Sequence, residues 1–156
     1  MAVVQRVMRL LEERVRSHKS GFPFGPSKLL IVFCVLFCAQ AINRQMRRTS
    51  VARMSPLEAY CGRKLNAAID LRAGFGDYVI ATAPYTDNLM KPRVGGCIAL
   101  LPTRNITGSV KLLNLRTGHV GTRDRFKVAP IPSDIVDILN VQAAKDGYAK
   151  RADQLC

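Results

Sequence analysis

Apolar residues recur three and four apart along "AVVQRVMRLLEERVR": Val3, Val4, Val7, Met8, Leu11 and Val15 fall on one side of a helix. Gln5, Arg9, Glu12, Glu13 and Arg16 fall on the other side, with Arg9–Glu13 and Glu12–Arg16 spaced to form i,i+4 ion pairs. Two glycines and two prolines in "SHKSGFPFGPS" end that helix. An unbroken apolar run, "LLIVFCVLFCAQAI", then covers residues 29–42. Fourteen residues are too few for a membrane span, which needs about 20, so the run is expected to be a buried helix. A helix apolar on every side needs neighbours on every side, and the rest of the chain does not obviously supply them.

"RQMRRTSVARM" is a basic connector, and "SPLEAYCGRK" is expected to be a short helix. Ser55 would cap it, Pro56 would take the first helical position, Glu58 stands three residues after the cap, and Gly62 would stop it. Beyond Leu71 the period changes from helical to alternating. "GDYVIATA" and "GCIALLPT" are expected strands, and "SVKLLNL" and "HVGTRDRF" flank the turn Arg116-Thr117-Gly118 as a hairpin. Short strands with Gly and Pro punctuation suggest a small antiparallel barrel. A last helix would start at a Ser133 cap, with Ile135, Ile138, Leu139 and Ala143 at helical spacing. The expected fold is α+β: helical residues 1–50, a connector with a short helix over 51–70, a small barrel over 71–132, and a helical tail over 133–156.

Charge narrows the class. Lys and Arg number 24 against 11 acidic residues, a formal net charge of +13, which points to a polyanionic partner. Residues 1–53 hold ten basic and two acidic residues, so the first third is the most densely cationic. Five cysteines and two histidines lack zinc-ligand spacing. Cys34 and Cys38 are expected to be small core residues in a reducing compartment, nuclear or cytoplasmic. The sequon Asn105-Ile106-Thr107 would matter only in a secreted chain, and no signal peptide is legible.

The ordered stretches "INRQMRRTSVARMSPLEAYCGRK…DLRAGFGDYV" and "KPRVGGCIALLPTRNITGSVKLLNLRTGHVGTRDRF" resemble the C-terminal part of integrases from copia-type LTR retrotransposons. Ser55, Pro56, Glu58, Gly62, Arg63 and Lys64 match the family's "SP-x-E-x-x-x-GRK" element, which leads out of the catalytic core into an SH3-like barrel. Thr117, Gly118, Val120, Arg123 and Asp124 match the "TG-x-V-x-x-RD" signature of that barrel's final hairpin. Further back, "VVQRVMRLLEERVR" resembles the closing helix of the family's RNase-H-like core, matching at Arg6, Arg9, Glu13, Arg14, Val15 and Arg16. The resemblance then implies that the apolar helix once had protein on all sides.

The same alignment places Gln5 where the family has its last catalytic glutamate. Two Mg²⁺ ions held by carboxylates activate and stabilise the reacting oxygens in that chemistry, and a neutral amide cannot supply the charge those hard cations need. The family's two earlier carboxylates and its zinc module would lie upstream of Met1. The implied protein is therefore a truncated, catalytically inactive retrotransposon polyprotein fragment with no cofactor and no small-molecule substrate. Its expected activity is contact with DNA or RNA without sequence preference.

The candidate contacts are Arg44, Arg47, Arg48 and Arg53 on the connector, and Arg63, Lys64 and Arg72 at the barrel entrance. Arg123, Arg125 and Lys127 complete the set, expected on one face of the last strand. With 6% aromatic residues and no Trp, a base-stacking platform has little support. The apolar helix 29–42 is the candidate for self-association or for contact with another protein. Two alternatives remain: a segment of an active polyprotein with a misplaced start, in which Gln5 is out of place, and a membrane-associated protein anchored through residues 29–42 with its cations on anionic lipid.

Overall fold

The computed structural model describes residues 2–45, 54–82 and 94–148. The chain divides into two compact units, residues 1–45 with 131–156, and residues 46–130. The tail helix thus belongs with the N-terminal helices rather than forming a segment of its own.

The first unit holds α1 (Ala2–Gly21), α2 (Lys28–Arg44) and α5 (Ser133–Lys145). The apolar stripe of α1 is half-buried at Leu11 and Val15, while Val3, Val4, Val7, Met8 and Leu10 are exposed. His18 meets Phe37 of α2 edge-to-face with centroids 5.6 Å apart, and Arg14 donates to Gln45 Oε1 at 2.7 Å. Of the two expected ion pairs on α1, Glu12–Arg16 forms at 3.8 Å between well-exposed side chains, worth a few tenths of a kcal/mol. Arg9 and Glu13 form none among the described residues.

The start of α2 is fixed from two directions. Ser27 Oγ accepts from the Leu30 N–H at 3.4 Å, and Asp146 Oδ2 accepts from the Lys28 N–H at 2.9 Å. The carboxylate also sits well against the positive end of the helix dipole. Asn140 Oδ1 accepts from the Gly25 N–H at 2.7 Å, so α5 and the residue that caps its end hold the turn between the first two helices and the start of α2. Leu139 and Ala143 are the buried residues of α5. Ser133 is its first helical residue rather than its cap; Pro132 occupies that position, with no side-chain cap bond.

Burial of α2 is one-sided. Leu30, Cys34 and Cys38, four apart, form its buried row, whereas Leu29, Val32 and Leu36 are 38, 54 and 47% exposed. The burial on all sides that the apolar run leads one to expect is met on one face only. No helix among the described residues is long and apolar enough to cross a membrane.

The second unit begins with α3 (Pro56–Cys61), capped as its sequence dictates. Ser55 Oγ accepts from the Glu58 N–H at 3.1 Å, and Gly62 closes the helix at φ 66°. A further short helix, α4 (Ala67–Asp70), was not legible in the sequence. Five strands follow: β1 (Tyr78–Thr82), β2 (Val94–Pro102), β3 (Val110–Asn114), β4 (Val120–Arg123) and β5 (Phe126–Val128). All pair antiparallel in the order β4-β3-β2-β1-β5. Val79, Ala81, Cys97, Ala99, Val110 and Leu112 make the core on one face, with Ala73 and Phe126 packed against it.

The β3–β4 hairpin forms at the expected turn. Asn114 Oδ1 accepts from the Arg116 and Thr117 N–H groups, and Gly118 takes the left-handed conformation at φ 70°. The stretch read as one last strand is two. It breaks at Asp124-Arg125, and β5 crosses to pair with β1, leaving β4 and β5 as the edges of an open sheet rather than a closed barrel. Flat, a five-stranded sheet separates its outer strands by about 19 Å. The two-residue link from Arg123 to Phe126 reaches only about 10 Å, so the sheet must curl.

Gly108 sits at φ 68° in the β2–β3 loop, and a Cβ there would lie 2.8 Å from the Ile69 carbonyl oxygen. Gly108→Ala is therefore expected to cost about 2 kcal/mol, from left-handed strain plus displacement of α4. Urea unfolding would show this as a lower midpoint; an unchanged midpoint would mean that the loop does not bind α4 in this way.

Candidate nucleic-acid interface

The cations expected to form one basic surface fall into three groups. The first is committed to holding the fold. Arg63 Nη2 donates to Asp70 Oδ1 at 2.7 Å, and Asp70, only 4% exposed, also accepts from the Asn66 N–H at 3.0 Å. Arg72 Nη1 donates to the Asp124 carbonyl at 2.8 Å while its guanidinium lies 4.7 Å over the centroid of Phe126. It thereby pins the β4–β5 link to the core, although its side chain stays exposed. Arg123 Nη1 donates to the Thr122 carbonyl at 2.7 Å and folds back over Gly121. In the first unit, Arg44 donates to Gln40 Oε1 at 3.3 Å within α2.

The second group is free. Lys64, Arg125 and Lys127 are exposed and make no hydrogen bond or ion pair among the described residues. The third group, Arg47, Arg48 and Arg53, lies outside the described residues.

Strand pairing corrects the alternation expected of Arg123, Arg125 and Lys127. Cross-strand partners point to the same side of a sheet. Arg123 is opposite Val110, a core residue, so it lies on the core face of β4. Lys127 is opposite Ile80, which is exposed, whereas Phe126 and Val128 are opposite the core residues Ala81 and Val79. The face assignment switches across the break, and Arg125 belongs to neither strand. One continuous strand would have kept all three cations together; the crossing to β1 separates them.

Two cations not singled out from the sequence belong with the second unit's charged surface. Lys111 alternates with buried Val110 and Leu112, so it points away from the core; that alternation was legible in "SVKLL". Arg116 is exposed in the hairpin turn. The unit therefore displays Lys64, Arg72, Lys111, Arg116, Arg125 and Lys127, with no ion pair joining any of them to a carboxylate among the described residues.

Elsewhere the chemistry is sparse. Gln5 is exposed on α1, along an open depression of about 540 Å³ lined by Val4, Gln5, Arg6, Met8, Arg9 and Glu12. The one carboxylate there, Glu12, is the one paired with Arg16. Among the described residues no three His, Cys, Asp or Glu side chains cluster to hold a metal ion. Burial pushes the Cys34 thiol up to about 12, helped by the neighbouring Cys38, and burial also raises Cys38 and Cys97. Protonated and buried, these thiols are poor nucleophiles and fill the core. Comparison of the chain with protein-family models, curated proteins and solved structures found no match.

Proposed function

We propose that the chain is the C-terminal part of a copia-type retrotransposon integrase, inactive in catalysis, that contacts DNA or RNA by charge and without sequence preference. The observation that carries this is the free cationic set of the second unit, above all Lys64, Arg125 and Lys127, in a chain of net charge +13. Exposed cations without carboxylate partners gain most from phosphates, because binding releases the counterions condensed on the nucleic acid. Such contacts position a duplex but do not read its bases.

The SH3-like part of the reading is supported by the connectivity. Four strands meander, the fifth returns to the first, and the two-residue link curls the sheet toward a barrel. The "TG-x-V-x-x-RD" residues fall where that reading needs them, at the β3–β4 turn and the start of the β4–β5 link. Inactivity rests on Gln5, whose amide carries no charge for Mg²⁺, the metal of the parent family. A nuclear or cytoplasmic location goes with this reading.

Two duplexes of unrelated sequence, each titrated with and without Mg²⁺, test the proposal. Equal affinities and intact strands are expected. A preference of more than about tenfold between sequences, equivalent to about 1.4 kcal/mol of base readout, would overturn the nonspecific reading. Metal-dependent nicking or joining would overturn inactivity.

A further inference from the structure

Most of the aromatic rings described are used inside the protein. Phe22, Phe24 and Phe75 are buried, Phe126 lies under the Arg72 guanidinium, and Tyr78 fills the space above Gly96. Tyr60 is the exception. It is 91% exposed, more than any other large apolar or aromatic side chain among the described residues, and it makes no hydrogen bond or ring contact there. A ring held in water forgoes one of the largest apolar burials open to a side chain. Folding gains nothing from that placement.

The backbone beneath Tyr60 is nonetheless well fixed. Tyr60 belongs to the last turn of α3, between the Ser55 cap and the left-handed Gly62 stop. One residue past the stop, Arg63 ties the chain to buried Asp70 at 2.7 Å. Lys64 follows, exposed and without a partner among the described residues. The chain from Tyr60 to Lys64 spans at most about 14 Å. Glu58, the only carboxylate of α3, stands two positions before Tyr60 and so points to a different side of the helix. A ring and a free cation are thus presented together, from a short segment held by the Ser55 cap and by Asp70.

We infer that Tyr60 stacks on an unpaired base of a single-stranded nucleic acid while Lys64 meets a phosphate of the same strand. The inference rests on the charge-based binding proposed above and adds strandedness to it. Every base has a π-face, so one ring accepts any sequence. In a duplex those faces are stacked on one another, which leaves only the charge contacts. Net charge of +13 favours this occupant over an apolar protein surface, which would leave Lys64 unanswered. Salt separates the two contributions. Charge contacts weaken as salt rises, by about 0.7 in slope for each phosphate of a single strand, whereas stacking releases no counterions.

The test is fluorescence anisotropy of the full chain with a labelled oligothymidylate and with a duplex of the same length, across a salt series. Tyr60→Ala is expected to weaken single-strand binding about tenfold at every salt concentration, with the slope unchanged. Its duplex affinity and its urea midpoint should match those of the original chain. Tyr60→Phe, which keeps the ring, should bind as the original does. Lys64→Ala should instead flatten the single-strand slope by about 0.7. The chain has no tryptophan, so Tyr60→Trp places one reporter at the site, and oligothymidylate should quench its emission where duplex does not. Should Tyr60→Ala lower the urea midpoint, that quench decides. Equal losses on both ligands would overturn the inference while charge-based binding stands. So would no loss on either, as when the ring serves a protein contact, or an unquenched tryptophan. If the unaltered chain bound neither ligand, charge-based binding would be wrong and this inference with it.

Discussion

Asp70→Ala is expected to lower the free energy of unfolding by about 3 kcal/mol. The Asp70 carboxylate is 4% exposed and uses both oxygens: one takes the Arg63 guanidinium at 2.7 Å, the other the Asn66 N–H at 3.0 Å. Removing one partner of a buried ion pair costs about 3–5 kcal/mol, because the charge left behind has lost its counterpart. Arg63 is 39% exposed along its side chain and can turn partly to water, which puts the cost at the low end of that range. The Asn66 N–H adds the loss of a charge-assisted hydrogen bond at the start of α4. Arg63→Ala should cost at least as much as Asp70→Ala, because it leaves the buried Asp70 carboxylate without its counter-charge. Urea unfolding of both variants measures the ordering; equal small losses would show that the pair does not hold the segment between α3 and α4 in place.

The second large effect is on binding. Lys64→Ala/Arg125→Ala/Lys127→Ala is expected to weaken duplex binding about 100-fold at ~0.1 M salt and to flatten its salt dependence by about 3 units of slope. The three side chains bond to nothing else among the described residues, so the variant should unfold at the same urea concentration as the original. By the same logic Arg63→Ala should alter stability while changing affinity little. If Arg63→Ala weakened binding as strongly as the triple variant, the division between structural and free cations would be wrong. Fluorescence anisotropy on a labelled duplex measures both.

That division was only partly legible in the sequence, and the reason is range. Features set by neighbours within four residues were readable. Ser55, Pro56 and Gly62 define α3 because a cap, a first-turn proline and a left-handed stop each act locally. The β3–β4 turn was readable for the same reason, from Arg116-Thr117-Gly118, although the Asn114 side chain that holds it was not singled out. The alternating cations misled because period two says nothing about which edge a strand joins. Only pairing of Phe126 and Val128 with Ala81 and Val79 shows that the chain has left β4. The role of Arg63 was hidden by distance, since its partner is seven residues away, across a turn and at the end of an unforeseen helix. Asn140 of α5 and Asp146 just beyond its end were silent too, because the N–H groups they accept from lie 115 and 118 residues earlier.

The candidate interface is a charge distribution on a small curled sheet, not a pocket, and its most direct measurement is the salt dependence of binding. Affinity of the unaltered chain for one duplex, plotted as log K against log salt, should fall in a straight line with slope near −5 if about six phosphates are neutralised. A flat line, or no binding at low salt, would contradict the account.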